Sequence, residues 1–153
     1  MTRRAVPAAR MAPAFRWGPV VRGTTIIVGD PHKPVVLVVD DDARSRNLLE
    51  IVLTIEGFGV VSAESGAHAL ALIEQQCPDA VLLDFVMPGM DGPELCARIR
   101  GLPLRRRLPL IVLSGMDDPQ ARQAAREAGA DDFVVKPFDR ADLRDRLTGL
   151  LGS

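Results

Sequence analysis

Cysteine and histidine are scarce in this sequence, with two of each. Cys77 and Cys96 are too few for a disulfide framework and are not spaced as a CxxC pair. Both fall in segments that read as helix, where a free thiol behaves as a small hydrophobe. His32 and His68 stand far apart without cysteine partners, which argues against a zinc site. Long apolar runs are missing too. The longest, Val35 to Val39 and Leu108 to Leu113, hold five or six residues, too few to cross a bilayer. The N-terminal region carries Arg3, Arg4 and Arg10 but lacks the apolar stretch of a secretory signal, so the expected compartment is the cytoplasm. Neither a GxGxxG turn nor a P-loop is present. Arg105, Arg106 and Arg107 form a basic run too short, and too poor in aromatic neighbours, to predict nucleic-acid binding. They read as a solvated loop.

What is present is an ordinary globular balance. Hydrophobic residues make up 47% and charged residues 25%, which excludes a collagen-like, coiled-coil or wholly disordered chain. A length of 153 residues suits one domain and a tail. The formal net charge of −1 conceals a split. Residues 1–34 hold six Lys/Arg against one Asp, whereas residues 35–153 hold 13 against 19 Asp/Glu. The first segment is a basic extension rich in Pro and Arg, and it buries too little apolar surface to offset its ordering entropy. Disorder is expected there. Within it Thr24 to Val28 is β-branched and reads either as a short edge strand or as part of the tail, the tail being favoured.

Residues 35–153 alternate between two patterns. Apolar strand-like runs occur at Val35–Val39, Phe58–Ser62, Ala80–Leu83, Leu110–Leu113 and Phe133–Val135. Segments of helical spacing lie between and after them. Leu48, Val52 and Ile55 share one face, as do Ala69, Leu70 and Ile73, then Leu95 and Ile99. Pro119–Ala128 is a polar, Ala-rich helix, and Leu143, Leu147, Leu150 and Leu151 form the last stripe. Asp42, Asp118 and Asp139 are placed as N-caps, and Gly57 and Gly129 as helix terminators. Such alternation predicts parallel strands joined by right-handed crossovers. Strands apolar on both faces predict helices on both faces, hence a three-layer α/β sandwich.

Ligands of an open parallel sheet bind beyond the carboxyl ends of its strands. Those ends carry Asp40, Asp41 and Asp42 after the first strand, Asp84 at the third, Ser114 after the fourth and Lys136 after the fifth. Crowded carboxylates repel unless a cation joins them. A ligand set of oxygens alone suits Mg²⁺. A carboxylate can also act as a nucleophile and form an acyl phosphate, with a lysine and a hydroxyl holding the other phosphoryl oxygens. Any one of these residues could be a plain helix cap, but compatible groups at four strand ends point to a site.

The runs VVLVVDDD, AVLLDFVMPGMDG, LPLIVLSG and DDFVVKPF, in this order and spacing, resemble the receiver domain of response regulators, the phospho-acceptor module of two-component signalling. The resemblance covers residues 35–153 and implies a stand-alone, single-domain member with a flavodoxin-like fold. Its five parallel strands would run in the order 2-1-3-4-5, with five helices. It implies that Asp84 is phosphorylated by a histidine kinase or histidine phosphotransfer protein. It implies that Mg²⁺ is held by Asp40, Asp41, Asp84 and the backbone carbonyl of Val86. Ser114 and Lys136 would bind the phosphoryl group, Phe133 would take the aromatic switch position, and the bond before Pro137 would be cis. A downstream protein partner, or a second copy of the chain, would meet the face of the fourth helix, fifth strand and fifth helix, where Arg122, Arg126, Arg140, Arg144 and Arg146 stand among Asp131, Asp132, Asp142 and Asp145; such mixed charge reads either as a solvated surface, which is favoured, or as that interface. No nucleic-acid, membrane or output-module partner is predicted. Val86 and Met116 depart from the polar residues often found at these places in the family, and neither can orient a hydrolytic water.

Two other classes compete with this regulatory reading. A Mg²⁺-dependent phosphohydrolase with an aspartate nucleophile would require more chain around the pocket to select a substrate and exclude water. A nucleotide or flavin binder would require backbone donors where acids stand instead.

Overall fold

A computed structural model describes residues 27–30 and 32–152. Among the described residues five strands and five helices alternate: β1 (Val35–Val39), α1 (Ala43–Ile55), β2 (Gly59–Ala63), α2 (Gly66–Gln75), β3 (Ala80–Asp84), α3 (Gly92–Arg100), β4 (Leu110–Ser114), α4 (Pro119–Glu127), β5 (Asp132–Val135) and α5 (Arg140–Leu151). All strand pairs are parallel, in the order β2-β1-β3-β4-β5. The expected flavodoxin-like sandwich is therefore the observed one.

Strand residues alternate between two cores, because successive side chains leave a strand on opposite faces. Val36, Val38, Leu82, Ile111 and Leu113 pack with Leu49 and Leu53 of α1 and with Leu143 and Leu147 of α5. Leu37, Val39, Val81, Leu83 and Val112 pack with α2, α3 and α4 through Leu72, Ile73, Leu95, Ile99 and Ala125. β1 lies between two neighbours and is buried over its whole length. Each helix starts on an aspartate or serine whose side chain accepts a backbone N–H: Asp42, Ser65, Asp91, Asp118 and Asp139. None of the helices among the described residues is long and apolar enough to cross a membrane.

Some expectations need correction. The face of α1 shared by Leu48, Val52 and Ile55 is not the buried one. Leu48 is 53% and Ile55 59% exposed, while Leu49 and Leu53 are buried. Two apolar stripes run along this helix, and periodicity alone selected the wrong one. Cys77 lies just beyond α2 rather than within it. β2 is shifted by one residue, because Phe58 enters the core before the strand begins. From the Thr24–Val28 run only Ile27 and Val28 lie within the described residues. Val28 forms an antiparallel bridge with Val60 on the free edge of β2, with both hydrogen bonds at 2.8 Å.

The amino ends of the strands are tied by charge. Asp79, buried, accepts the N–H of Val35 at 2.7 Å and the Arg106 guanidinium at 3.0 Å. Asp131 accepts Arg100, Arg107 and the N–H of Leu110. The basic run is thus partly committed: Arg106 and Arg107 are ion-paired, although both remain exposed. Asp79→Ala would leave the Val35 N–H buried without this acceptor, and a loss of about 2 kcal/mol is expected. Arg106→Ala removes only the exposed partner and is expected to cost under about 1 kcal/mol. Urea unfolding midpoints of the two variants check the contrast.

Candidate functional site

The carboxyl ends of β1, β3, β4 and β5 bring the acids, the hydroxyl and the lysine to one edge of the sheet. Asp40 follows β1 directly and is only 2% exposed. Its N–H donates to Ala63 O, its Oδ1 accepts the Asp42 N–H at 2.9 Å, and its carbonyl accepts Arg46 at 2.7 Å. Arg46 was not singled out from the sequence, since nothing in its spacing marks a side chain that turns back onto a strand end. Asp84 is the last residue of β3. Carboxylate oxygens of Asp40, Asp41 and Asp84 lie within 4.8 Å of one another. Asp42 stands apart from this trio as the cap of α1.

Lys136 follows β5 and reaches across to the acids. Its Nζ is 2.7 Å from Asp84 Oδ1 and 3.7 Å from Asp40 Oδ2. The Lys136–Pro137 peptide bond is cis. Ser114 ends β4 and is 1% exposed; its Oγ accepts the Met116 N–H at 3.0 Å, and its carbonyl accepts the Lys136 N–H at 2.8 Å. Val86 and Met116 stand exposed in the loops that follow Asp84 and Ser114.

The MPGMDG loop owes its course to two of its glycines. Gly89 has φ +81°, a region that glycine enters without a Cβ clash. Gly92 packs so tightly on β3 that a Cβ there would lie 2.6 Å from Asp84 O and 2.9 Å from Phe85 Cα. The loop is thereby pinned directly behind the acidic residue.

Electrostatics set the state of Asp84. Burial pushes the Asp84 carboxyl above its ordinary value, the Lys136 ammonium pulls it back, and Asp40 and Asp41 push it up again. The net direction is upward, so the bare site holds Asp84's negative charge reluctantly. Asp40 Oδ2 is buried and has no hydrogen-bond partner. A buried carboxylate oxygen without a donor is costly. One such oxygen, two further carboxylates and no nitrogen or sulfur donor fit a hard divalent cation of the Mg²⁺ kind.

Phe133 is buried in β5. It meets Phe85 edge-on, with ring centroids 6.3 Å apart and an interplanar angle of 78°. Arg122 of α4 lies over the same ring, Cζ 4.9 Å from the centroid. This cation–π contact was not legible in the sequence, because eleven positions separate the partners and only the α4–β5 packing joins them.

Comparison with known proteins agrees with this geometry. The family model of the response regulator receiver domain matches residues 36–148. The response regulator MprA of Mycobacterium tuberculosis is 41% identical over 116 residues, covering 76% of this chain and 50% of that protein. A probable transcriptional regulator, ycf27, of Guillardia theta is 42% identical over 119 residues, covering 78% and 46%. The chain thus spans about half the length of the curated relatives it matches. Among solved structures, the receiver domain of the sensor histidine kinase PA1611 of Pseudomonas aeruginosa, with magnesium coordinated in its active-site cleft, superposes with a TM-score of 0.74 at 31% identity. It covers 79% of this chain and 99% of that one. By family model, relatives and fold alike, this chain belongs to the response regulator receiver domains of two-component signalling.

Proposed function

We propose that Asp84 accepts a phosphoryl group from a histidine kinase or histidine phosphotransfer protein, and that the domain signals by contact with a protein partner. The observation that carries this reading is the Asp84–Lys136 contact of 2.7 Å inside a cluster of three carboxylates. A carboxylate oxygen of Asp84 forms the new bond to phosphorus while the phosphorus–nitrogen bond to the donor imidazole breaks. The leaving imidazole keeps that electron pair and takes up a proton. Lys136 balances charge on the phosphoryl oxygens, and the Ser114 hydroxyl donates to another of them. Asp40, Asp41, Asp84 and the Val86 carbonyl would hold Mg²⁺, which neutralises the transferring group when bound. Support for the metal comes from the unpartnered Asp40 Oδ2 and from the magnesium named for the Pseudomonas relative.

Incubation with Mg²⁺ and acetyl phosphate is expected to add one phosphoryl group, located at Asp84 by intact-mass and peptide mass spectrometry and lost in Asp84→Asn. No adduct with any donor would remove this reading. Steady turnover of a phosphomonoester abolished by Asp84→Asn would put a phosphohydrolase in its place.

The lifetime of the adduct follows from its rim. Val86 and Met116 offer no hydrogen bond to an attacking water. A slow loss of label is expected, well beyond seconds. Val86→Asn with Met116→Gln is expected to shorten it by roughly tenfold, the effect of about 1.4 kcal/mol at the barrier.

The raised Asp84 pKa has a sign in stability. The fold favours the protonated carboxyl, so full stability exists below the ordinary value of 3.8 and is lost as pH rises through the raised folded value. In metal-free buffer at pH 7, Asp84→Asn should therefore melt higher than the parent chain, and the gain should vanish as pH falls below 3.8. Added Mg²⁺ should raise the melting temperature of the parent more than that of the variant.

A further inference from the structure

Among the described residues β2 ends the sheet, and an edge strand presents unpaired backbone groups on its outer side. Val60 already has a partner there: it exchanges both backbone hydrogen bonds with Val28, each 2.8 Å, in an antiparallel pair. Two glycines permit that approach. A Cβ on Gly29, whose φ is +84°, would lie 2.6 Å from Phe58 O, and one on Gly59 would lie 2.9 Å from Asp30 O. Ile27 packs against the core cluster that holds Val61 and Ile73. The pairing fixes a direction, because chain that precedes an antiparallel contact on β2 leads toward the carboxyl edge of the sheet. That edge is acidic. The Ala63 carbonyl accepts the Asp40 N–H at 3.1 Å, so Glu64 follows β2 beside the end of β1. Glu64, Asp41 and Asp42 are exposed there. The preceding chain is basic: residues 1–26 hold Arg3, Arg4, Arg10, Arg16 and Arg22 and neither Asp nor Glu.

We propose that residues 24–28 pair along the outer edge of β2 as an antiparallel strand, and that this strand delivers the arginines before it to the rim of Asp41, Asp42 and Glu64, where they compete with a divalent cation. The cation half rests on the metal site given above. Groups that face outward recur at every second residue, so the register set by Val28 and Val60 matches Ile26 to Ser62 and Thr24 to Glu64. The β-branched run TTIIV suits such an edge. Arg22 comes next, past the end of β2, where one ammonium faces three carboxylates. A bound cation supplies the missing positive charge and frees the arm.

Arm and cation oppose each other by one and the same factor. An exposed ion pair supports roughly a two- to fivefold effect, and at ~1 M salt, where the Debye length is about 3 Å, that effect is lost. Hydrogen exchange on the full chain tests the strand. The Ser62 amide is expected to be protected, and Ile26→Pro, which removes a ladder N–H, is expected to abolish this while the β3 amides keep theirs. Arg16→Gln with Arg22→Gln should bind Mg²⁺ roughly two- to fivefold more tightly at low salt, read from amide shifts around Asp84, and equally at ~1 M salt. Trp17 is the only tryptophan and there is no tyrosine, so its fluorescence anisotropy reports the arm. It should fall as Mg²⁺ is added to the parent chain. An unprotected Ser62 amide, a Mg²⁺ affinity indifferent to the two arginines, or a Trp17 anisotropy indifferent to Mg²⁺ would each overturn the proposal. Protection of Ser62 that grows with protein concentration would assign the edge to a second copy instead. If no form of the chain binds Mg²⁺, the metal reading fails and the competition with it, whereas Ser62 protection and its loss in Ile26→Pro still decide the strand.

Discussion

Everything at the carboxyl edge of the sheet answers to one electrostatic constraint. Carboxylate oxygens of three aspartates lie within 4.8 Å of one another, and one of these residues is only 2% exposed. Burial and the neighbouring like charges push the Asp84 carboxyl above its ordinary value. Lys136 is the protein's own answer: it sits 2.7 Å from Asp84 and 3.7 Å from Asp40. One ammonium cannot satisfy three carboxylates, and Asp40 Oδ2 is left without a donor. The site thus has room, electrostatically, for more positive charge. A divalent cation beside the one ammonium would offset the three carboxylate charges, which is why the proposed metal fits this edge.

The fold makes that crowding tolerable. Each acid stands at the end of a strand buried on both faces, so the backbone beneath it cannot yield. Gly92 presses the MPGMDG loop against Asp84 and leaves no room for a Cβ. The opposite edge of the sheet is tied by the opposite logic. There Asp79 accepts a strand N–H and one arginine, and Asp131 a strand N–H and two arginines, so the acids are neutralised within the chain. One edge is satisfied within the chain, and the other stays underneutralised.

Parts of this were legible in the residues. The five apolar runs predicted five strands because a strand covered on both faces must be apolar throughout. Asp40, Asp41, Asp84, Ser114 and Lys136 stood out because they end those runs. The buried stripe of α1 was not legible, for a physical reason. Where two apolar stripes share one helix, as Leu49–Leu53 and Leu48–Ile55 do, only the neighbour that packs against it selects the buried one. Arg46, Arg100 and Arg122 were invisible for a related reason. A long cationic side chain can reach acceptors far away in sequence, and spacing carries no record of which it meets.

The sequence by itself determined the kinds of element, their order and which polar groups stand at the strand ends, since periodicity and strand-end chemistry are local properties. Its scarcity of cysteine and histidine had already narrowed the site to oxygen ligands. Only the tertiary structure decided which acids share a cluster: Asp40 and Asp41 join Asp84, whereas Asp42 turns away to cap α1. It also decided where Lys136 points, that Asp40 keeps an unpartnered oxygen, and that Arg122 covers Phe133. These are distances between residues on different strands and helices, and they exist only once the packing of the sheet has set them.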